Sequence, residues 1–188
     1  RQALERRSGG DVAARLHSAL MRAERKGEAD KFAADWLQRQ PEDLVMRGYL
    51  AERALSETRY ADAVDGFEVM RKISPDNPMV LNNLAWAANQ VKDPKALEYA
   101  ERALSLAPDN AAILDTLGVI QIDHGQADKG LANLQRAVSL APDLAQLRLS
   151  LARSYAKLGR KDDARKELDM LMPKLQENTA LHKEAIEL

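Results

Sequence analysis

The sequence predicts an all-α protein, an α-solenoid of about five helical hairpins closed by a C-terminal capping helix. The first observation is composition: the 188 residues are 45% hydrophobic but only 4% aromatic, which favours closely packed helices over a β-sandwich. The second is that prolines recur at intervals of 34, 33 and 34 residues, at Pro41, Pro75, Pro108 and Pro142. Such a fixed spacing is typical of a helical repeat array.

Each proline is expected to separate two hairpins. Proline lacks a backbone donor and restricts the residue before it, so a helix ends there, and the Asp or Asn that follows can cap the next helix. Asn77-Pro78 is the clearest start, because a capping side chain precedes a proline at the first helical position. The third hairpin is one residue short, and we expect Asp93-Pro94 in its turn to cap and start its second helix.

A second pattern recurs between the prolines. In the fourth unit it consists of Leu114, Leu117, Gly118, Gln121, Gly130, Leu134, Ala137 and Pro142. At the same spacings the first unit has Ala13, Leu16, His17, Leu20, Ala29, Ala33, Trp36 and Pro41, the second has Arg47, Leu50, Ala51, Ala54, Ala63, Phe67, Met70 and Pro75, and the fifth has Arg148, Leu151, Ala152, Tyr155, Ala164, Leu168 and Leu171. Leucine beside a small residue lets the two helices of one unit pack together, and small residues on the second helix let the next hairpin approach.

This pattern resembles the tetratricopeptide repeat (TPR) family over residues 10–178. The resemblance implies the following organisation: a tail of a preceding helix at 1–9, repeats at 10–43, 44–77, 78–110, 111–144 and 145–178, and a C-terminal capping helix at 179–188. His17, Trp36 and Gly130 depart from the family pattern, the first two by being larger than usual and the third by replacing the usual alanine.

The N-terminal end carries a separate expectation. The chain opens on Arg1 without an initiator methionine, which indicates a piece of a longer protein. Residues 1–7 are interpreted as the tail of a preceding second helix, and Ser8-Gly9-Gly10 as an inter-helix turn. We therefore expect further repeats before Arg1 and an uncapped end through which two copies could form a homodimer.

A narrower resemblance covers residues 81–118. It rests on three stretches, Leu81-Asn82-Asn83-Leu84-Ala85-Trp86, Ala96-Leu97-Glu98-Tyr99-Ala100-Glu101 and Leu106-Ala107-Pro108-Asp109-Asn110 followed by Leu114-Asp115-Thr116-Leu117-Gly118. These stretches are similar to the C-terminal repeats of bacterial TPR lipoproteins linked to exopolysaccharide and PEP-CTERM sorting systems. The resemblance implies a periplasmic or outer-membrane-anchored scaffold, with a cytoplasmic location as the alternative.

Charge and chemistry-bearing residues indicate a protein that binds and does not catalyse. The formal net charge is −1 with no block of one sign, so the clustered basic face of a nucleic-acid-binding protein is missing. No apolar run approaches the length of a membrane span. Cysteine is absent, and His17, His124 and His182 lie outside any metal-ligand motif. The sequence predicts no enzyme activity, no cofactor and no metal site.

A partner is expected on the concave surface, which in the family is lined by the first helix of each repeat. The predicted contact residues are Tyr49, Glu52, Met79, Asn82, Asn83, Trp86, Asn89, Asp115, Val119, Ile122 and Arg153. Apolar groups with a few amides suit an extended peptide or a helix laid in a groove, and Trp86 is the expected anchor. Carboxylate capture is not expected, because Arg153 is the single cation in this set.

Other interpretations of these residues remain open at this stage. Trp86 can instead pack on Tyr49 or on a neighbouring helix, Asn82 and Asn83 can be solvated, and Asp115 can bond a neighbouring unit. The predicted function is a protein-binding scaffold for a protein or peptide, without nucleic acid or direct membrane insertion. The alternatives are a structural spacer or self-association element and, more weakly, a scaffold that contacts polysaccharide through Trp86, Tyr49 and the amides.

Overall fold

The computed structural model describes residues 2–175, 177 and 179–188, with side chains from Gly9 onward. Within these ranges the chain forms eleven α-helices and one short 3-10 helix, Met172–Lys174, and no strand. The α-helices are α1 Gln2–Arg22, α2 Lys26–Arg39, α3 Leu44–Ser56, α4 Tyr60–Ile73, α5 Pro78–Gln90, α6 Ala96–Leu106, α7 Ala111–Asp123, α8 Ala127–Leu140, α9 Ala145–Lys157, α10 Lys161–Leu171 and α11 Ala180–Glu187. The predicted all-α helical-repeat fold is confirmed.

Most predicted helix boundaries follow from the prolines and their capping residues. The helices α2, α4, α6 and α8 each end two residues before a proline. The side chains of Asp43, Asn77 and Asn110 each accept two backbone N–H bonds at the start of α3, α5 and α7. Asp93-Pro94 behaves differently from expectation: Asp93 Oδ1 accepts a bond from the backbone N–H of Lys95 at 2.9 Å, and α6 begins only at Ala96.

The turn inside each hairpin repeats the same backbone conformation. Its marker is one residue with positive φ, which is Glu24, Thr58, Lys92, Gly125 or Gly159, with φ of 59, 57, 60, 77 and 74° respectively. Successive members are separated by 34, 34, 33 and 34 residues, so the short interval lies between the third and fourth turns. The repeat seen in the prolines is therefore also a repeat of backbone geometry.

The expected turn at Ser8-Gly9-Gly10 does not form, because α1 runs without interruption from Gln2 to Arg22. Arg1 lies outside the described residues. The two glycines have a packing role instead: a Cβ on Gly9 would lie 3.3 Å from the Trp36 ring, and one on Gly10 would overlap the Asp43 carboxylate. The absence of side chains here lets α1 pass close to the end of α2 and the start of α3.

The fold divides into two compact units, 1–91 and 92–188. In the first unit α1 packs on α2 and α3, α3 on α4, and α4 on α5. In the second unit α6 packs on α7, α7 on α8 and α9, α8 on α9, and α9 on α10 and α11. Small residues set these distances. A Cβ on Gly130 of α8 would come 2.5 Å from the carbonyl oxygen of Gly118 on α7, so the usual alanine would not fit.

Helix α11 packs on α9 in the second unit. Thr179 caps it by accepting a bond from the backbone N–H of His182. Leu181 and Ala185 pack against the buried Leu149 and Leu171, while Leu188 is 43% exposed. Among the described helices, none combines the length and apolar character needed to cross a bilayer.

The repeated turn generates a stability prediction. Thr58 has a φ of 57°, a conformation that is strained for a β-branched side chain and free of strain for glycine. Thr58→Gly is therefore expected to raise the free energy of unfolding by about 1 kcal/mol, measured by urea denaturation followed by circular dichroism. Gly159→Thr, the reverse change at the equivalent turn, should lower it. An unchanged or lower stability of Thr58→Gly would contradict this account.

Candidate functional site

The predicted contact residues of the first unit begin on α3, where Tyr49 is committed to packing. Its hydroxyl lies 2.9 Å from His17 Nδ1 and shares a hydrogen bond with it, and the two rings meet edge to face at 5.3 Å. His17 is buried, and burial, with a smaller contribution from the Arg53 charge, lowers its pKa. Glu52 is exposed on the same helix. The large His17 thus takes the place of a small residue by bonding Tyr49 of the next hairpin.

Helix α5 presents a mixed surface. Met79 is 43% exposed, whereas Asn82 is 7% exposed, and Asn83, Trp86 and Asn89 are half-buried. The Asn82 side-chain amide donates to Asn83 Oδ1 at 3.3 Å, but the buried Asn82 Oδ1 accepts no hydrogen bond from the described residues. A buried carbonyl without a donor costs free energy, so a rotation of the Asn82 amide that brought this atom to an incoming N–H would be favourable.

In the second unit Asp115, Ser150 and Arg153 bring α7 and α9 together. Burial raises the pKa of Asp115 to about 6, while a hydrogen bond from Ser150 and the charge of Arg153 act in the opposite direction. Arg153 forms an ion pair with Glu184 of α11. One Asp115 oxygen and the Arg153 Nε are nevertheless buried without a hydrogen-bond partner in the described part of the chain. The Asp115 and Arg153 charges therefore attract each other, while one atom of each side chain has no hydrogen-bond partner among the described residues.

Val119 and Ile122 of α7 belong largely to the core. Ile122 is 7% exposed and packs with Leu134, Leu151 and Tyr155, and Val119 is half-buried against the same cluster. Ile122 was expected on a binding surface, but its side chain fills the space beside Gly130, where a Cβ would come within 2.6 Å of it. Of the four predicted residues in this unit, Asp115 and Arg153 each have one buried polar atom without a hydrogen-bond partner among the described residues.

Sequence reasoning did not identify Ser150 and Glu184 as members of this group. Ser150 precedes Arg153 by three residues, a spacing that puts both on one face of α9, and this was a usable signal. Glu184 had no comparable signal, because it comes from the capping helix outside the repeat pattern. In the described ranges no group of three or more His, Cys, Asp or Glu side chains is arranged to hold a metal ion.

The buried Asp115 generates a pH prediction. Its pKa is about 6 in the folded chain against an ordinary value of 3.8, so the folded state holds the proton more tightly than the unfolded state. The free energy of unfolding should therefore gain from this group as the pH falls through 6 toward 4. Asp115→Asn should be more stable than wild type by about 1–3 kcal/mol at neutral pH and equal to it near pH 4. Urea unfolding across this range would show it, and a pH-independent difference would contradict it.

Comparison with known proteins supports the interpretation of the repeats. Residues 121–186 match the family model described as tetratricopeptide repeat. No curated protein matches the chain. Among solved structures, the chain is similar to TTC0263, a thermophilic TPR protein from Thermus thermophilus, at 21% identity and a TM-score of 0.75, with 95% of this chain and 100% of that chain covered.

Two further solved structures share the fold. One is YrrB, described as a TPR protein with an unusual peptide-binding site, at 19% identity and a TM-score of 0.62, with 94% of this chain and 91% of that chain covered. The other is PilW, described as a widely conserved type IV pilus biogenesis factor, at 21% identity and a TM-score of 0.73, with 89% and 79% covered. The match over 121–186 identifies tetratricopeptide repeat sequence in that part of the chain, and the solved structures share the fold of the chain.

Proposed function

We propose that this chain is a non-catalytic scaffold that binds a peptide or a partner helix along the first helices of its hairpins, with α5 as the main contact in the first unit. The observation that carries the proposal is the buried Oδ1 of Asn82, which accepts no hydrogen bond from the described residues. It lies on the helix that also presents Met79 and Trp86. A peptide would supply the missing N–H, and the two apolar side chains would cover its side chains.

The polar groups of the second unit support the same function. Among the described residues, one Asp115 oxygen lacks a donor and the Arg153 Nε lacks an acceptor. A partner with both donors and acceptors would supply them. A peptide backbone offers both. The peptide-binding site named for YrrB belongs to that protein, and it is a precedent for such a use of the fold.

The cellular setting of the proposal is the bacterial envelope, in exopolysaccharide export or protein sorting. It rests on the resemblance of residues 81–118 to envelope lipoproteins. A periplasmic or outer-membrane-anchored location belongs to the same proposal, and a cytoplasmic scaffold is the alternative. The role in pilus biogenesis stated for PilW is a further case of a structural neighbour taking part in a cell-surface assembly.

A self-association element is the second candidate function. The observation that favours it is on α1, where Val12 is 64% and Leu16 is 46% exposed. These residues are four positions apart and share one face of the helix. A second copy that covered them would join two chains through this end. Contact with polysaccharide through Trp86 and Tyr49 is the weaker alternative, and the hydrogen bond between Tyr49 and His17 leaves Tyr49 less free for it.

The experiment is an affinity pull-down from the source cells with three versions of the chain. Wild type and the Gln38→Ala control, which removes an exposed amide on α2, should retain the same partner. Asn82→Ala with Trp86→Ala should lose it, because both the acceptor and the apolar anchor are gone. Anchors of this type contribute about 2 kcal/mol or more to binding, so a loss of at least about thirtyfold in affinity is expected.

Circular dichroism of the double variant must show a folded helical protein for loss of the partner to count in favour of the site. Retention of the same partner by all three versions would remove α5 as the contact. A Val12→Ser, Leu16→Ser variant separates the second candidate: sedimentation should show loss of a dimer if self-association is the function, and no change if peptide binding is.

A further inference from the structure

A pocket of about 540 Å³ lies between the first and second hairpins. We call it the α2–α4 pocket, because Ala33 of α2 and Gly66 of α4 line it together with Ala51 and Ala54 of α3. Its size is within the range of ligand-binding pockets, about 300–1,000 Å³. The pocket involves the second helices of the hairpins and none of the predicted contact residues, so the proposed function does not account for it.

The junction between the fourth and fifth hairpins shows side chains that can fill this space. Positions there lie 101 residues after their equivalents in the first two hairpins, as Pro142 does after Pro41. In that junction Leu131, Leu134 and Tyr155 form one buried cluster. The equivalent residues in the first junction are Asp30, Ala33 and Ala54, all of which line the pocket. The first junction therefore has smaller or polar residues where the fourth and fifth hairpins have three large side chains, and the pocket occupies that space.

A polar link within the hairpin that follows the junction is replaced as well. In the fifth hairpin Arg148 forms a half-buried ion pair with Glu167. The equivalent residues in the second hairpin are Arg47 and Gly66, and Arg47 Nε donates instead to the carbonyl oxygen of Pro41 at 2.6 Å. Gly66 also has a packing reason of its own, since a Cβ there would lie 2.9 Å from that of Ala51.

Charged residues of both signs line the α2–α4 pocket. They form ion pairs within the wall made by α2 and within the wall made by α3 and α4. Lys26 bonds Asp30 on α2, and Arg59 bonds both Glu57 and Asp62 on the α3–α4 side. These pairs join residues of the same wall, so widening the pocket breaks none of them. An entering chain would meet carboxylates and cations on both sides, which favours an occupant that itself carries both charges.

We propose that the α2–α4 pocket binds a peptide segment of a partner protein, which inserts one large apolar side chain between α2 and α4 and places charged residues of both signs at the rim. The chain itself shows that this place in the repeat accepts the side chains of Leu134 and Tyr155. An inserted leucine, phenylalanine or tyrosine would restore the missing packing. Arg59, whose equivalent Arg160 lies 4.7 Å from the Tyr155 ring centroid, is placed to cover an aromatic one.

The test fills the pocket from within. Ala33→Leu and Ala54→Tyr each restore the side chain of the fourth and fifth hairpins, and both variants should melt at or above the wild-type temperature. The control is Asp35→Leu, which adds the same leucine on the opposite, exposed face of α2. Peptides are selected from a random display library on wild type, and individual enriched peptides are then titrated by fluorescence anisotropy against all four proteins and against Trp86→Ala.

The proposal expects enriched peptides with one large apolar residue flanked by charges of both signs. Their Kd should rise at least about tenfold with either filled variant and stay unchanged with Asp35→Leu and Trp86→Ala. Peptides that bind the folded, filled variants as well as wild type would overturn the proposal, as would a library that yields no enrichment. Sedimentation that shows a wild-type dimer lost on filling would assign the pocket to a second copy of the chain and overturn the peptide proposal too.

Discussion

The close approach of neighbouring helices is the constraint on which the rest of the fold depends. Gly118 and Gly130 face each other across α7 and α8 so closely that a single Cβ would meet backbone, and Gly9 and Gly10 do the same for α1 against the side chains of Trp36 and Asp43. Because each helix is held at this short distance, a side chain facing a junction either interdigitates or leaves a void. The large buried residues and the pocket in the first two hairpins follow from that requirement.

Much of the fold could be predicted because its signals are local. A proline and the Asp or Asn after it act on their own helix ends, and Asp43, Asn77 and Asn110 cap as expected. The predictions of helix boundaries that were wrong concern places where contacts beyond the helix itself determine its start or its course. Gly9 and Gly10 suggested a turn by composition, yet they lie inside a helix because α2 and α3 come close to them. Helix α6 begins after Pro94, at Ala96. The Asp93 side chain accepts the backbone N–H of Lys95, which lies before the helix.

The candidate site was predictable only in part for the same reason. Helical register indicated which residues face away from the partner helix, but not how deeply each one sits, and Ile122 is part of the core while Asn82 is almost buried. The pair formed by Arg153 and Glu184 depends on the position of a capping helix that follows no repeat. The pocket between α2 and α4 was in principle visible in the sequence, since Ala33 and Ala54 stand where the later hairpins have Leu134 and Tyr155, but only a comparison between junctions brings it out.

Asp43 has a consequence for how the first two hairpins unfold. One of its oxygens accepts the Trp36 indole N–H at 2.8 Å, and the other accepts the first backbone amides of α3. In a repeat protein, cooperativity depends on the coupling between adjacent units relative to their intrinsic stability. Here a single carboxylate belongs to both sides of that coupling, so fraying of α3 releases the end of α2 at the same time. Asp43 therefore couples the first two hairpins through its hydrogen bonds, even though a large pocket separates their second helices.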